Sequence, residues 1–163
     1  MGSSSKAGNR GIPSSPRDGS AIELVGLAYS VVTWLQEVQG GDVWPYEGVT
    51  DGQTFWSWRD WSCKIASCFE RYFWIDDTSS HPLTNRRGIY KDSFGATDEW
   101  QDFQFRPNFL VAMTVAPGLF DERRARMALD AVEQVLLGPL GLKTLDPRYA
   151  CVMTPCLFST GYL

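Results

Sequence analysis

Residues 87–109 read RGIYKDSFGATDEWQDFQFRPNF, and how this stretch is read decides the fold. Gly88, Gly95 and Pro107 punctuate it, and its apolar residues follow neither a helical nor an alternating period, so it is a loop. Yet it interleaves Tyr90, Phe94, Trp100, Phe103, Phe105 and Phe109 with Asp92, Asp98, Glu99, Asp102 and Arg106. A loop so aromatic is not all solvent-exposed, and one so acidic is not all core. Carboxylates, an arginine and aromatic rings suit a neutral polyhydroxylated ligand, whose hydroxyls they bond and whose apolar face they cover. The competing reading is a structural loop whose rings fasten it to flanking helices.

Outward from the loop, helices dominate. On its N-terminal side, Ser20-x-x-Glu23 fits a capping box, followed by Leu24, Leu27, Val31, Leu35 and Val38 at helical spacing. Apolar residues on its other faces predict a helix buried between neighbours. Gly40-Gly41 ends it, and Asp51-Gly52 signals a turn. A second helix is expected from about Thr54 to Ile75, unusually aromatic with Trp56, Trp58, Trp61 and Trp74. One exposed Trp could be a sugar platform, but the spacing singles out none. His81, before Pro82 and without an acidic or cysteine neighbour in sequence, reads as a solvated loop histidine.

On the C-terminal side, Pro107 suits the first turn of a third helix through Ala116, which Pro117-Gly118 breaks. Asp121 and Glu122 open a fourth, with Ala125, Ala128, Val132 and Val135/Leu136 along its apolar stripe. Gly138-Pro139-Leu140-Gly141 stops it. No run of alternating strands appears, so the class is mainly α: helical hairpins carrying long functional loops.

Composition narrows the function. The 163 residues carry 15 Lys plus Arg against 19 Asp plus Glu, a net charge of −4, with no basic run longer than two. That argues against nucleic-acid and membrane partners. Cys63/Cys68 and Cys151/Cys156 are each spaced too widely for a zinc knuckle, and His81 is the single histidine, so free thiols are expected and no metal. Residues 1–19 read as a flexible Gly/Ser/Pro leader, without a secretory signal or a membrane span.

Four motifs, NRGIPSSPRDGSAIE (9–23), RRGIYKDSFGATDEWQDFQFRPNF (86–109), MTVAPGLF (113–120) and LLGPLGLKTLDP (136–147), carry a resemblance to a known family. In that order they resemble the amylo-α-1,6-glucosidase part of eukaryotic glycogen debranching enzymes, over residues 1–147. Residues 148–163 do not follow the family and read as a truncation or read-through tail. The resemblance implies a partial (α/α)6 toroid of the glucoamylase type, with its active site where hairpin loops gather. It also implies a cytoplasmic enzyme of glycogen catabolism, whose separate 4-α-glucanotransferase barrel has no counterpart in these residues.

The implied reaction removes the α-1,6-linked glucose at a branch point of glycogen or limit dextrin, with inversion and with neither metal nor organic cofactor. Inversion needs a protonated and an ionised carboxyl about 6.5–9.5 Å apart. The family's acid belongs to a Trp-Met-Asp-Lys-Met-Gly stretch and its base to a Leu-Pro-Glu-Leu-Thr segment, and neither stretch matches residues here. No catalytic residue is therefore assigned, and the chain alone is expected to be inactive. The matched motifs make Arg17, Asp18, Trp100, Asp102, Arg106 and Asn108 the candidate substrate-binding residues, with Trp100, Asp102 and Arg106 expected as one cluster. Loop-fixing is the alternative role for each; Lys91, Asp92 and Asp146 are read as loop-fixing first. A non-catalytic glycogen-binding module and a truncated product without separate function are the alternatives for the whole chain.

Overall fold

The computed structural model describes residues 17–41 and 44–148; residues 1–16 of the N-terminal leader, Cys151, Cys156 and the tail after Arg148 lie outside them. Among the described residues four α-helices carry the fold: α1 (Ile22–Val38), α2 (Trp58–Phe73), α3 (Phe109–Val115) and α4 (Glu122–Val135). The chain is mainly helical, as its periodicity predicts. None of these helices is long and apolar enough to cross a membrane.

Short antiparallel ladders tie the helix ends together. β1 (Ser20–Ala21) pairs with β6 (Ser93–Phe94), and β4 (Trp74–Ile75) with β5 (Ile89–Tyr90). The central loop is thus stitched to the start of α1 and the end of α2 at once. Two local hairpins, β2 (Gly48–Thr50) with β3 (Phe55–Ser57) and β7 (Leu137–Gly138) with β8 (Gly141–Leu142), complete the set.

The core joins Phe69 and Phe73 of α2, Ile89, Tyr90, Phe103 and Phe105 of the loop, Phe109 and Ala112 of α3, and Ala128, Val132 and Leu136 from α4 and its end. α1 packs against α2 and α3. A Cβ on Gly26 of α1 would stand 2.6 Å from Ala112, so the close approach of α1 to α3 needs glycine there.

Three local expectations are corrected. Ser20 does not cap α1: it sits in β1 opposite Phe94, the N-cap is Ala21 with no side-chain cap bond, and Glu23 turns away to Arg17. The second helix starts at Trp58, not Thr54, because the Asp51 carboxylate accepts from Gln53 N and Thr54 N (3.1 and 2.9 Å) and sets up a hairpin instead. Ser57 then caps α2, its Oγ accepting from Asp60 N. Third, the Leu24–Leu27–Val31 stripe faces solvent, since α1 buries Ile22, Gly26 and Val32 instead. The fourth helix is as expected, with Asp121 at its N-cap accepting from Arg124 N.

Candidate functional site

Asp92 is the residue around which the site is built. Its side chain is fully buried, held by backbone on both sides: Ile22 N donates to its carbonyl and its own N–H donates to Asp102 O (3.1 and 3.0 Å). A lone buried carboxylate would be prohibitive, so it must be surrounded by donors. Arg17 Nε donates to Asp92 Oδ2 and Arg17 Nη2 to Oδ1 at 3.1 Å. Asn108 Nδ2 donates to Oδ1 at 2.8 Å, and Arg106 Nε stands 3.6 Å from Oδ2. Glu23 takes the outer edge of Arg17 with two bonds, 2.6 and 2.7 Å. Two guanidinium groups thus face two carboxylates.

The electrostatics follow. Burial pushes the Asp92 carboxyl up, with Arg17, Asn108 and Arg106 pulling against it. Bonding to Glu23 holds Arg17 above its ordinary value, whereas burial lowers Arg106. Burial also pushes Glu23 up, but the hydrogen bonds from Arg17, a backbone N–H and the charges of Arg17 and Arg106 together outweigh it and leave Glu23 below its ordinary value.

Asp102 and Asp18 hold the tip of the loop between them. Buried Asp102 accepts from Ser93 Oγ (2.8 Å), Gly95 N (2.8 Å) and Ala96 N (3.2 Å). Asp18 is exposed and accepts from both the backbone N–H (3.0 Å) and the hydroxyl of Thr97, which lowers its pKa. Gly95, at φ 74°, makes the turn between the two clasps. Asp18 is therefore an ionised acceptor, fixed in place and open to water.

Of the six predicted site residues, Arg17, Arg106 and Asn108 converge on Asp92, and Asp18, next to Arg17 in the chain, is tied instead to Thr97 at the loop tip. Trp100 is half-buried on the 3-10 turn Glu99–Gln101 and stays outside the Asp92 network. The expected pairing of Asp102 with Arg106 does not form. Asp102 spends its oxygens on the loop, while Arg106 Nε donates to Gln104 Oε1 (2.6 Å) and its Nη1 to Thr144 O (3.3 Å). Pro107 between Arg106 and Asn108 leads both into α3, which fixes Arg106 on the Asp92 side.

Sequence reading gave Asp92 a minor place and left out Glu23 and Thr97. The signal available for Asp92 was chemical: a half-buried Arg17 must find an acid. His81 is also corrected. Its ring stacks on Phe103 (4.4 Å between centroids), and its Nε2 lies 3.2 Å from Glu99, eighteen residues away. Lys91 lies over the same Phe103 ring at 4.3 Å. Asp146 is loop-fixing: it takes both Arg86 Nε and Nη2 and accepts from Arg148 N (3.0 Å).

The site offers oriented donors and acceptors. Among the described residues no cluster of His, Cys, Asp and Glu could hold a metal ion. A helical scaffold that presents a locked acidic and aromatic loop with basic side chains defines a class, and the family comparison states it. Residues 2–152 match the amylo-alpha-1,6-glucosidase family, and the chain belongs to it. More particularly, it is similar to the glycogen debranching enzyme of Saccharomyces cerevisiae, 38% identical across 90% of the chain. The match spans 10% of the length of that relative.

Proposed function

We propose that these residues form one sector of the sugar pocket of an α-1,6-glucosidase acting on branched glucans such as glycogen or limit dextrin. The observation that carries this reading is the Asp92 network: it brings Arg17 and Asp18 to a loop that follows them by more than seventy residues and leaves Asp18 open to solvent. Asp18, Arg17, Arg106 and Asn108 then meet glucose hydroxyls, and Trp100 covers a ring face. Asp102 serves by keeping the loop tip in shape. The four helices are read as part of an (α/α)6 toroid whose hairpin loops share one mouth.

The catalytic acid and base are assigned to no residue of the chain, which shapes the pocket without cleaving the bond. Among the described residues the buried carboxylates, Asp92, Asp102 and Asp146, are engaged with arginine, amide, hydroxyl or backbone donors, and general acid–base work needs a carboxyl within reach of substrate and water. The test is glucose release from a branched limit dextrin. The chain alone is expected to give none above a blank. In an enzyme that contains this sector, Asp18→Asn should lower kcat/KM, while the loss of one Thr97 bond at this exposed position lowers the melting temperature only slightly.

A further inference from the structure

Trp56 and Trp61 line a second concavity, of about 300 Å³, together with Val49, Asp51 and Lys64. It lies between the β2–β3 hairpin and the first turns of α2. Trp61 precedes Phe73, where α2 meets the central loop, by twelve residues, roughly 18 Å along a helix. The groove is therefore separate from the Asp92 site.

Both indoles are pre-set. Trp56 Nε1 donates to Asp51 Oδ2 at 3.3 Å, and the same carboxylate fixes the hairpin turn through Gln53 N and Thr54 N. Trp61 stacks on buried Trp58, centroids 6.5 Å apart and planes 20° from parallel, and Trp58 in turn donates its Nε1–H to Tyr46 O at 2.9 Å. Large rings already held in position bind with little loss of rotamer freedom. Trp61 is nonetheless 39% exposed, so its surface is not consumed by the core.

We propose that this groove is an accessory site for an α-1,4-linked glucan arm. The lining has the two-sided chemistry of a pyranose: indole surface for its apolar face, and at the rim the Asp51 carboxylate as acceptor and the Lys64 ammonium as donor for its hydroxyls. A volume of about 300 Å³ sits at the small end of ligand pockets, the scale of a short oligosaccharide segment. The ligand class rests on the proposed action on branched glucans. A branched polymer offers many arms, so a second, weaker hold raises the local concentration of chain ends at the pocket.

The test is a titration of the full chain, with ¹⁵N-labelled indoles, against maltoheptaose. The indole N–H signals of Trp56 and Trp61 should shift together and saturate; Trp56→Phe and Trp61→Phe assign them without removing the rings. Trp61→Ala, an exposed helix position, should weaken retention in an amylopectin gel roughly tenfold while far-UV circular dichroism stays unchanged. Shifts confined to Trp100 would overturn the groove and leave the pocket reading standing. Shifts at Trp56 and Trp61 without Trp100 would support the groove and count against the pocket. If no indole responds, the groove is not a glucan site, and a protein segment covering it becomes the better account.

Discussion

The central loop is better buried than the longest helix. Ile89, Tyr90, Asp92, Ser93 and every residue from Gln101 to Phe105 are buried in the loop, whereas only Ile22, Gly26 and Val32 are buried among the 17 residues of α1. Leu24, Leu27, Val31 and Trp34 lie outward along that helix at 40–61% exposure. The usual division of labour, buried helices under exposed loops, is inverted here. What makes the loop rigid is polar: buried Asp92 and Asp102 can exist only if the backbone and the arginines close around them, so their cost makes the loop conformation unique. What leaves α1 open is apolar surface that nothing among the described residues covers.

The largest effect should come from striking the loop at its centre. Asp92→Ala leaves Arg17 and Arg106 facing each other without their shared counter-charge, and is expected to cost about 3–5 kcal/mol in a urea melt. Removing Arg17 as well should recover part of that loss, because the orphaned charge goes with it.

Next in size are the two residues that separate binding from scaffolding. In an enzyme containing this sector, Trp100→Ala should reduce kcat/KM roughly hundredfold, about 2.7 kcal/mol, with little change in melting temperature. Asp102→Asn should do the reverse. An amide cannot accept at both positions that now receive Ser93, Gly95 and Ala96, so stability should fall by about 1–3 kcal/mol with a modest kinetic effect. Equal melting temperatures for the two variants would break the division of roles.

Acid should loosen the loop before it touches the helices. Burial raises Glu23 and Asp146, but Arg17 and Arg86, joined by backbone N–H bonds and by the charges of Arg106 and Arg148, together outweigh it and hold both below their ordinary values. A carboxylate depressed in the folded state gives stability that is present above its unfolded pKa and lost as pH falls through the folded value. The melting temperature should therefore drop below about pH 4, and Glu23→Gln should flatten that limb. Asp92, lifted by burial, works the other way, so the effect is read from the difference between wild type and Glu23→Gln.

The smallest change in stability goes with the clearest change in assembly. Val31→Glu, at a 53%-exposed position, should alter the melting free energy by no more than about 0.5 kcal/mol. Light scattering of the wild type should show association through the α1 stripe, and the variant should be more monomeric.

Helix positions were legible because they depend on near neighbours: Asp121 announces α4, and the apolar spacing of Ala128 and Val132 marks its inner face. The errors fall where another partner, near or far in the chain, wins: the Asp51 carboxylate turns Gln53 and Thr54 into a hairpin where a helix is expected. Ser20 looks like a cap until Phe94 takes it into a ladder, and Glu23 looks like its capping partner until Arg17 claims it. The motifs picked out the residues of the site, but grouping Asp102 with Arg106 rests on the shared motif, their four-residue spacing and the helix start at Pro107. In three dimensions the loop folds back on itself, Asp102 is consumed by its own turn, and Asp92 takes the arginines. Likewise, α1 is apolar on several faces, and periodicity does not say which face meets α3; the Gly26–Ala112 contact does.

The clasps that hold the site also set when it can first exist. Arg17 reaches Asp92 across 75 positions, and Asp18 reaches Thr97 across 79. Closing spans of that length is entropically slow, and the Asp92 network also needs Asn108, so no early part of the chain can assemble it as it is synthesised. The pocket wall should therefore be among the last features to form in refolding, after α1 and α2 have paired. A lag between recovery of helical signal and recovery of Trp100 environment would mark that order.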